Sequence, residues 1–262
     1  SIQLDLTYEQ YVNPNITGET VLVGNQQVDV MKNGDGLYAD EYEAGRYVYK
    51  GADPNNYIKF NEELWRIVSK EADGTYKIIL NELINSNYMW DRYSNNWSTP
   101  SYLNNYLNSD YYNEIGNSWK SYVVSYNWFI GVVESNNNDL INQIADENSI
   151  MWSGTVGLIS VSDYLRSNTN TAQCGTFYLN NTNYNTCANT TWLIGSRTYW
   201  LISAVKNTTN YVWRVLQDGN ISSNEVSYTP SPSYIRPSLY LSSEITLTGK
   251  GTLKNPYVIE PN

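Results

Sequence analysis

Between residues 46 and 80 one pattern repeats, and it limits the fold more than any other feature of the chain. A short aliphatic and aromatic run is followed by a cluster of turn-forming or acidic residues, and then the next run begins. The runs are Tyr47-Val48-Tyr49, Tyr57-Ile58-Lys59-Phe60, Leu64-Trp65-Arg66-Ile67-Val68 and Tyr76-Lys77-Ile78-Ile79-Leu80. The breaks are Gly51 to Asn56, Asn61-Glu62-Glu63 and Asp73-Gly74. Runs this short suit strands, and breaks this short suit hairpins, so an antiparallel meander is predicted.

Helical spacing appears only after this meander. Tyr102, Leu103, Tyr106 and Leu107 share one helical face, with Thr99 and Pro100 as the start signal. A second helix is predicted over Asp139 to Glu147, with Leu140, Ile141, Ile144 and Ala145 inward, and a third over Val161 to Arg166, capped from Ser160. Strands are expected at residues 121–133, 155–159, 198–203, 211–217 and 236–241, with a hairpin turn at Asp218-Gly219-Asn220. The fold class is therefore α+β and β-rich, built of antiparallel sheets with a few short helices. Residues 46–262 show no convincing linker and are read as one domain. Residues 1–45 are acidic and turn-rich, and are read as a separate N-terminal segment.

Composition narrows the function. The 262 residues contain no His, which removes the commonest general base and most zinc sites. A net charge of −10 repels phosphate backbones, so nucleic acid is not an expected partner. No apolar run approaches the ~18 residues that a membrane span requires. The chain begins Ser1-Ile2 and carries no signal peptide, so it is read as a mature or trimmed piece whose export signal would lie upstream. Cys174 and Cys187 lie in a polar, Asn-rich stretch. In an exported protein such a pair reads as a disulfide, and in a cytosolic one as two free thiols.

Tyr and Trp greatly outnumber Phe, at 25 and 9 against 3, a bias towards residues with an apolar body and a polar handle. Trp65 and Trp200 sit in strongly apolar runs and are assigned to the core. Trp90, Trp97, Trp119 and Trp128 sit among Asn, Ser and Tyr, as candidate exposed aromatics. The expected binding residues are Trp90, Tyr93, Trp97 and Tyr184. Arg66 and Arg236 each interrupt an apolar run, so each is predicted to be buried in a structural ion pair, with Glu63, Asp91 or Asp163 as available carboxylates. Asp29, Asn33, Asp35, Asp40 and Glu41 surround the Asn33-Gly34-Asp35-Gly36 turn and are the candidate calcium ligands. Their spacing departs from that of an EF-hand loop, and a solvated turn needs no metal. Glu62, Glu63, Asp91, Asp110 and Asp218 are the carboxylates from which a glycosidase pair would be drawn.

The order of several motifs resembles an uncharacterised domain family of exported Gram-positive surface proteins. Pro54-Asn55-Asn56-Tyr57-Ile58-Lys59-Phe60-Asn61 with Glu63-Leu64-Trp65-Arg66-Ile67 matches its opening. Gly157-Leu158-Ile159-Ser160-Val161-Ser162-Asp163 and Trp200-Leu201-Ile202-Ser203 match its middle. Ile235-Arg236-Pro237-Ser238-Leu239-Tyr240-Leu241 and Gly249-Lys250-Gly251-Thr252-Leu253-Lys254-Asn255-Pro256-Tyr257 match its end. The resemblance covers about four-fifths of the chain. It implies an exported location, and is loosely similar to the C-type-lectin-like and formylglycine-generating-enzyme-like group in its early helix and late Trp-rich sheet. It implies no catalytic residues. The function expected from all this is an extracellular, surface- or pilus-associated, adhesin-like domain. It would bind a host or bacterial surface protein or glycan without catalysis. A carbohydrate-binding module and a carboxylate-based glycosidase are the competing readings.

Overall fold

The computed structural model describes residues 13–84, 88–99, 101–134, 139–170, 174, 187, 189–227 and 233–261. Apolar runs of four or five residues cannot each bury a face alone, and here they are joined into a 12-stranded mixed sheet. One path across it runs β1 (Ile16–Val23), β2 (Gln26–Met31), β3 (Gly36–Ala39), β4 (Tyr47–Lys50), β6 (Glu63–Lys70), β5 (Tyr57–Phe60), β18 (Tyr257–Ile259) and β17 (Leu247–Thr248). The long strand β6 is the pivot. Residues 63–66 pair with β5 and residues 69–70 with β4, while β7 (Tyr76–Leu80) also pairs with β6. β7 in turn pairs with β16 (Ser238–Leu241), which also meets β8 (Val123–Val124) and β12 (Val156–Gly157). The four predicted strands are present and antiparallel, but only β5, β6 and β7 pair in sequence as a meander, because β4 skips β5 and pairs with β6.

The remaining strands form two smaller sheets. β10 (Val132–Val133), β13 (Tyr199–Val205), β14 (Tyr211–Val215) and β15 (Ile221–Glu225) make one, and β9 (Tyr126–Phe129) pairs with β11 (Met151–Gly154) in the other. Helices are short: α1 (Tyr102–Tyr106), a π turn (Leu107–Tyr111), α2 (Tyr112–Glu114), α3 (Asn117–Lys120), α4 (Leu140–Asn148) and α5 (Val161–Arg166). The cap of α1 is Ser101 and not Thr99: its side chain accepts from the Asn104 N–H. α5 starts from Ser160 as predicted.

Two expectations are corrected here. Residues 13–45 are not a separate segment. All four residues of β3 pair with β4, and Val21, Val23, Val30 and Leu37 enter the common core. Their alternation is weak because β1 is mostly exposed, so only every second residue near its end is apolar and inward. Helix α4 is also turned from its predicted face. Leu140, Gln143 and Glu147 are buried, whereas Ile141 is 64% exposed. The Glu147 carbonyl accepts from the Gly131 N–H at 2.8 Å, and a Cβ on Gly131 would lie 2.1 Å from the Asp146 carbonyl oxygen. That close approach fixes the rotation of α4 and sends the Glu147 side chain inward.

Trp residues tie the sheets together. Trp65, Trp90, Trp97, Trp128, Trp200 and Trp213 are fully buried, and Trp192 nearly so. A buried indole N–H needs an acceptor. Those of Trp90, Trp128, Trp192, Trp200 and Trp213 donate to the backbone carbonyls of Leu201, Gly154, Tyr49, Tyr88 and Val133, at 2.9–3.3 Å.

Candidate polar cleft

The chemistry of this chain gathers where α5 meets the large sheet. Asp163 is the third residue of α5. Its Oδ2 accepts from the Ser160 N–H at 3.0 Å, while the Ser160 hydroxyl accepts from the Asp163 N–H at 3.1 Å, a reciprocal cap. The same carboxylate takes the Lys77 ammonium of β7 at 2.6 Å and the Arg46 guanidinium at 3.2 Å. Arg46 precedes β4 and also reaches Asp40 at 2.6 Å and Glu71 at 2.9 Å, and donates to the Ser69 hydroxyl. Arg166, in the last turn of α5, closes the network on Asp40 at 2.8 Å. These side chains are all buried. Buried charges persist only with such mutual pairing.

The network sets the protonation of its members. Burial alone would raise the Asp163 carboxyl, but Lys77, Arg46 and Arg166 overcome it and hold it far below the usual carboxylate range. Asp40 is lowered in the same way, against its own burial, by Arg166, Arg46 and the Tyr42 N–H. Glu147 behaves oppositely. Burial raises it, and its hydrogen bonds from the Ser162 N–H and the Ser203 hydroxyl offset this only in part. Glu43, at the rim, is also raised, by burial first, against the pull of Arg46.

Above this charged floor lies a cleft of about 440 Å³. Its far wall is aromatic and belongs to β9 and β16. Tyr126 stacks on Tyr240 with ring centroids 3.9 Å apart, and Trp128 meets Tyr240 edge-on at 4.9 Å. The Lys77 ammonium lies 4.9 Å from the Trp128 ring centroid and 5.4 Å from that of Tyr240. Exposed Asn127, Phe129, Met151 and Ser153 from β9 and β11 form the outer lip, facing Glu43 and Asp73.

Of the expected binding residues, the three that are described, Trp90, Tyr93 and Trp97, do not line this cleft. Trp90 and Trp97 are in the core, 0% and 1% exposed, with ring centroids 5.2 Å apart. Their polar neighbours suggested exposure, yet those neighbours fold the loop. Asp91 accepts from the backbone N–H groups of Ser94 and Tyr102, Asn95 donates to the carbonyl of Tyr211, and Asn104 to that of Trp97. With the backbone satisfied, both indoles turn inward. Tyr93 is 82% exposed but stands alone, and Tyr184 lies outside the described residues. Trp128 is buried, and Trp119 is half-buried elsewhere. Trp65 and Trp200 are core, as expected.

Arg66 and Arg236 are buried, but among the described residues only Arg66 has a carboxylate partner. It is Asp53 at 3.1 Å, joined by Asn56 and the Pro54 carbonyl, with the Tyr57 and Trp192 rings on its faces. Burial lowers its pKa to about 10. Arg236 instead donates to the backbone carbonyls of Leu80 and Leu193, and the Leu193 carbonyl also accepts from the Tyr199 hydroxyl. Asp163, named as an available partner for these two, serves Arg46, Arg166 and Lys77.

The calcium candidates do not converge. Asp40 belongs to Arg46 and Arg166, Asp35 accepts from the N–H groups of Ala52 and Asp53, and Glu41 meets Lys50. Asp29 and Asn33 are exposed. Among the described residues no group of three or more His, Cys, Asp or Glu is arranged to hold a metal. The glycosidase candidates Glu62, Glu63, Asp91, Asp110 and Asp218 all lie outside the cleft. Cys174 and Cys187 form a disulfide, as expected for an oxidising compartment. No helix among the described residues is long and apolar enough to cross a membrane.

Comparison with known proteins finds no relative: no family model, no curated protein and no solved structure matches this chain.

Proposed function

We propose that this chain is an extracellular surface module that binds a glycan in the cleft between β9, β11 and α5, without turning it over. The observation that carries this reading is the pairing of wall and floor. The stacked Tyr126 and Tyr240 rings with Trp128 stand beside the amide of Asn127 and the hydroxyl of Ser153. The floor cations are already neutralised by fixed carboxylates. Ligand sites of this kind combine a concave apolar surface with a few placed polar groups. A sugar ring offers both a C–H face and hydroxyls to match.

The absence of His and the use of both Cys in a disulfide leave few groups for chemistry. Asp163 and Asp40, held ionised by buried cations, are poor proton donors. The disulfide and the resemblance to exported Gram-positive domains support a place on the cell surface, free or on a filament. The test is a glycan array, run with the native domain and with the double variant Asn127→Ala, Phe129→Ala at the exposed lip. Binding lost in the variant with an unchanged melting curve is the expected result. No glycan bound by the native domain refutes the reading. A bound glycan released as shortened products would convert the domain into a hydrolase.

A further inference from the structure

The charges of the cleft are unequal. Glu43, Glu71, Asp73, Glu147 and Asp163 line it, against Arg46, Lys77 and Arg166. The three cations are already tied to Asp40, Glu71 and Asp163 at 2.6–3.2 Å. Glu43 reaches Arg46 and Arg166 only at 3.8 Å, with its side chain 41% exposed at the rim. Glu147 is 1% exposed, and the hydrogen bonds it receives come from neutral donors, the Ser162 N–H and the Ser203 hydroxyl. Among the described residues it makes no ion pair. A buried carboxyl without a counter-charge is costly when ionised, and a cation entering the cleft relieves that cost.

The wall gives a second, independent indication. The Lys77 ammonium rests against Trp128 and Tyr240, both buried, so this wall already solvates one positive charge beneath the cleft. Burial of Lys77 beside Asp163 uses one flank of Trp128, whereas half-buried Tyr126, on the same face of β9, continues the aromatic surface towards the mouth. The chain as a whole carries −10, which draws cations towards such an opening.

We propose that the ligand of this cleft is a glycan bearing a free, protonated amine, a hexosamine that is not N-acetylated. This inference rests on the glycan-binding reading and deepens it. The ammonium sits between the aromatic wall and the carboxyls of Glu43 and Glu147, and the sugar ring lies along Tyr126 towards the lip of Asn127 and Ser153. An acetylated amine brings no charge to either carboxyl.

Titration calorimetry with the whole chain tests this, using the glucosamine hexamer and the N-acetylglucosamine hexamer as probes near neutral pH. We expect the glucosamine hexamer to bind on the order of tenfold tighter or more, a difference of about 1.4 kcal/mol. Glu43→Gln and Glu147→Gln, each isosteric, should weaken the glucosamine hexamer more than the acetylated one. Equal affinities, or tighter binding of the acetylated hexamer, overturn the amine and leave glycan binding intact. A lysine oligomer that binds as tightly as the glucosamine hexamer overturns the saccharide part. If neither hexamer binds, the amine proposal falls, and the glycan array decides separately whether glycan binding falls with it.

Discussion

Asp163→Asn is the sharpest perturbation of this fold, because the side chain keeps its shape and loses only its charge. In the native protein Oδ2 accepts from the Lys77 ammonium and the Ser160 N–H, and Oδ1 from Arg46, with Arg166 3.8 Å away. An amide has one acceptor and one donor end. Either orientation therefore points an NH2 group at a buried cation, at Lys77 or at Arg46. Removing one member of a buried charge network costs about 3–5 kcal/mol. In a chain of this size that lowers Tm by roughly 6–20 °C. Urea denaturation of native and variant protein near pH 7 measures the difference. The pH dependence gives a second check. Asp163 is depressed in the folded state, so its contribution is present above the unfolded value of about 4 and is lost as pH falls through the much lower folded value. The gap between native and variant protein should stay constant from neutral pH down to about 4 and close only in stronger acid. A loss under about 1 kcal/mol at neutral pH, or a gap that closes well above pH 4, would refute the network as described.

Other outcomes follow from the same geometry. Glu147 is raised in the folded state, so the stability it confers is complete below the ordinary glutamate pKa and is lost as pH rises through the folded value. Glu147→Gln should flatten that part of the stability profile, and an unchanged slope would argue against its burial without a counter-charge. Arg236→Ala should cost about 1.5–3 kcal/mol by chemical denaturation, the range for hydrogen bonds from a charged group, because the Leu80 carbonyl then loses this donor. Gly131→Ala drives a Cβ into the Asp146 and Glu147 carbonyls. It should destabilise by about 1–3 kcal/mol and weaken ligand binding in the cleft through Glu147, whereas a neutral melt would mean α4 shifts freely. Cys174→Ser with Cys187→Ser should cost about 3 kcal/mol, and mass spectrometry of the native protein without reductant should find no alkylatable thiol.

What was legible in the sequence was local. The runs at residues 47–80 announced their strands because turn residues bracket each one, and Ser160 to Arg166 announced α5 through its cap. The cleft was not legible, because its members come from residues 40, 46, 71, 77, 147, 163 and 166, and only folding brings them together. Asp40 was singled out for its acidic neighbours and met two arginines instead. Lys77 offered the one usable signal, a charge inside Tyr76-Lys77-Ile78-Ile79-Leu80 of the same kind as those that marked Arg66 and Arg236. Trp90 and Trp97 show the converse error. Polar neighbours were read as a wet surface, when Asp91, Asn95 and Asn104 serve the backbone and free the indoles for the core.

The distribution of Trp also makes this protein its own optical probe. Five indoles donate to carbonyls between 26 and 143 residues away in sequence, so none of these contacts survives in a chain that has lost its long-range order. Native emission should come from dry indoles, most of them hydrogen-bonded, and its red shift should follow loss of the whole fold and not of one hairpin. Only Trp119 and Trp152 are even half-buried, so a quencher such as acrylamide should reach at most those two of the nine. Trp152 lies 6.4 Å from Trp128, centroid to centroid, on the strand that forms the lip, while Trp119 sits far along the chain beside Phe60. Residual quenching therefore reports on two separate places, the β9–β11 ribbon and the ground beside Phe60.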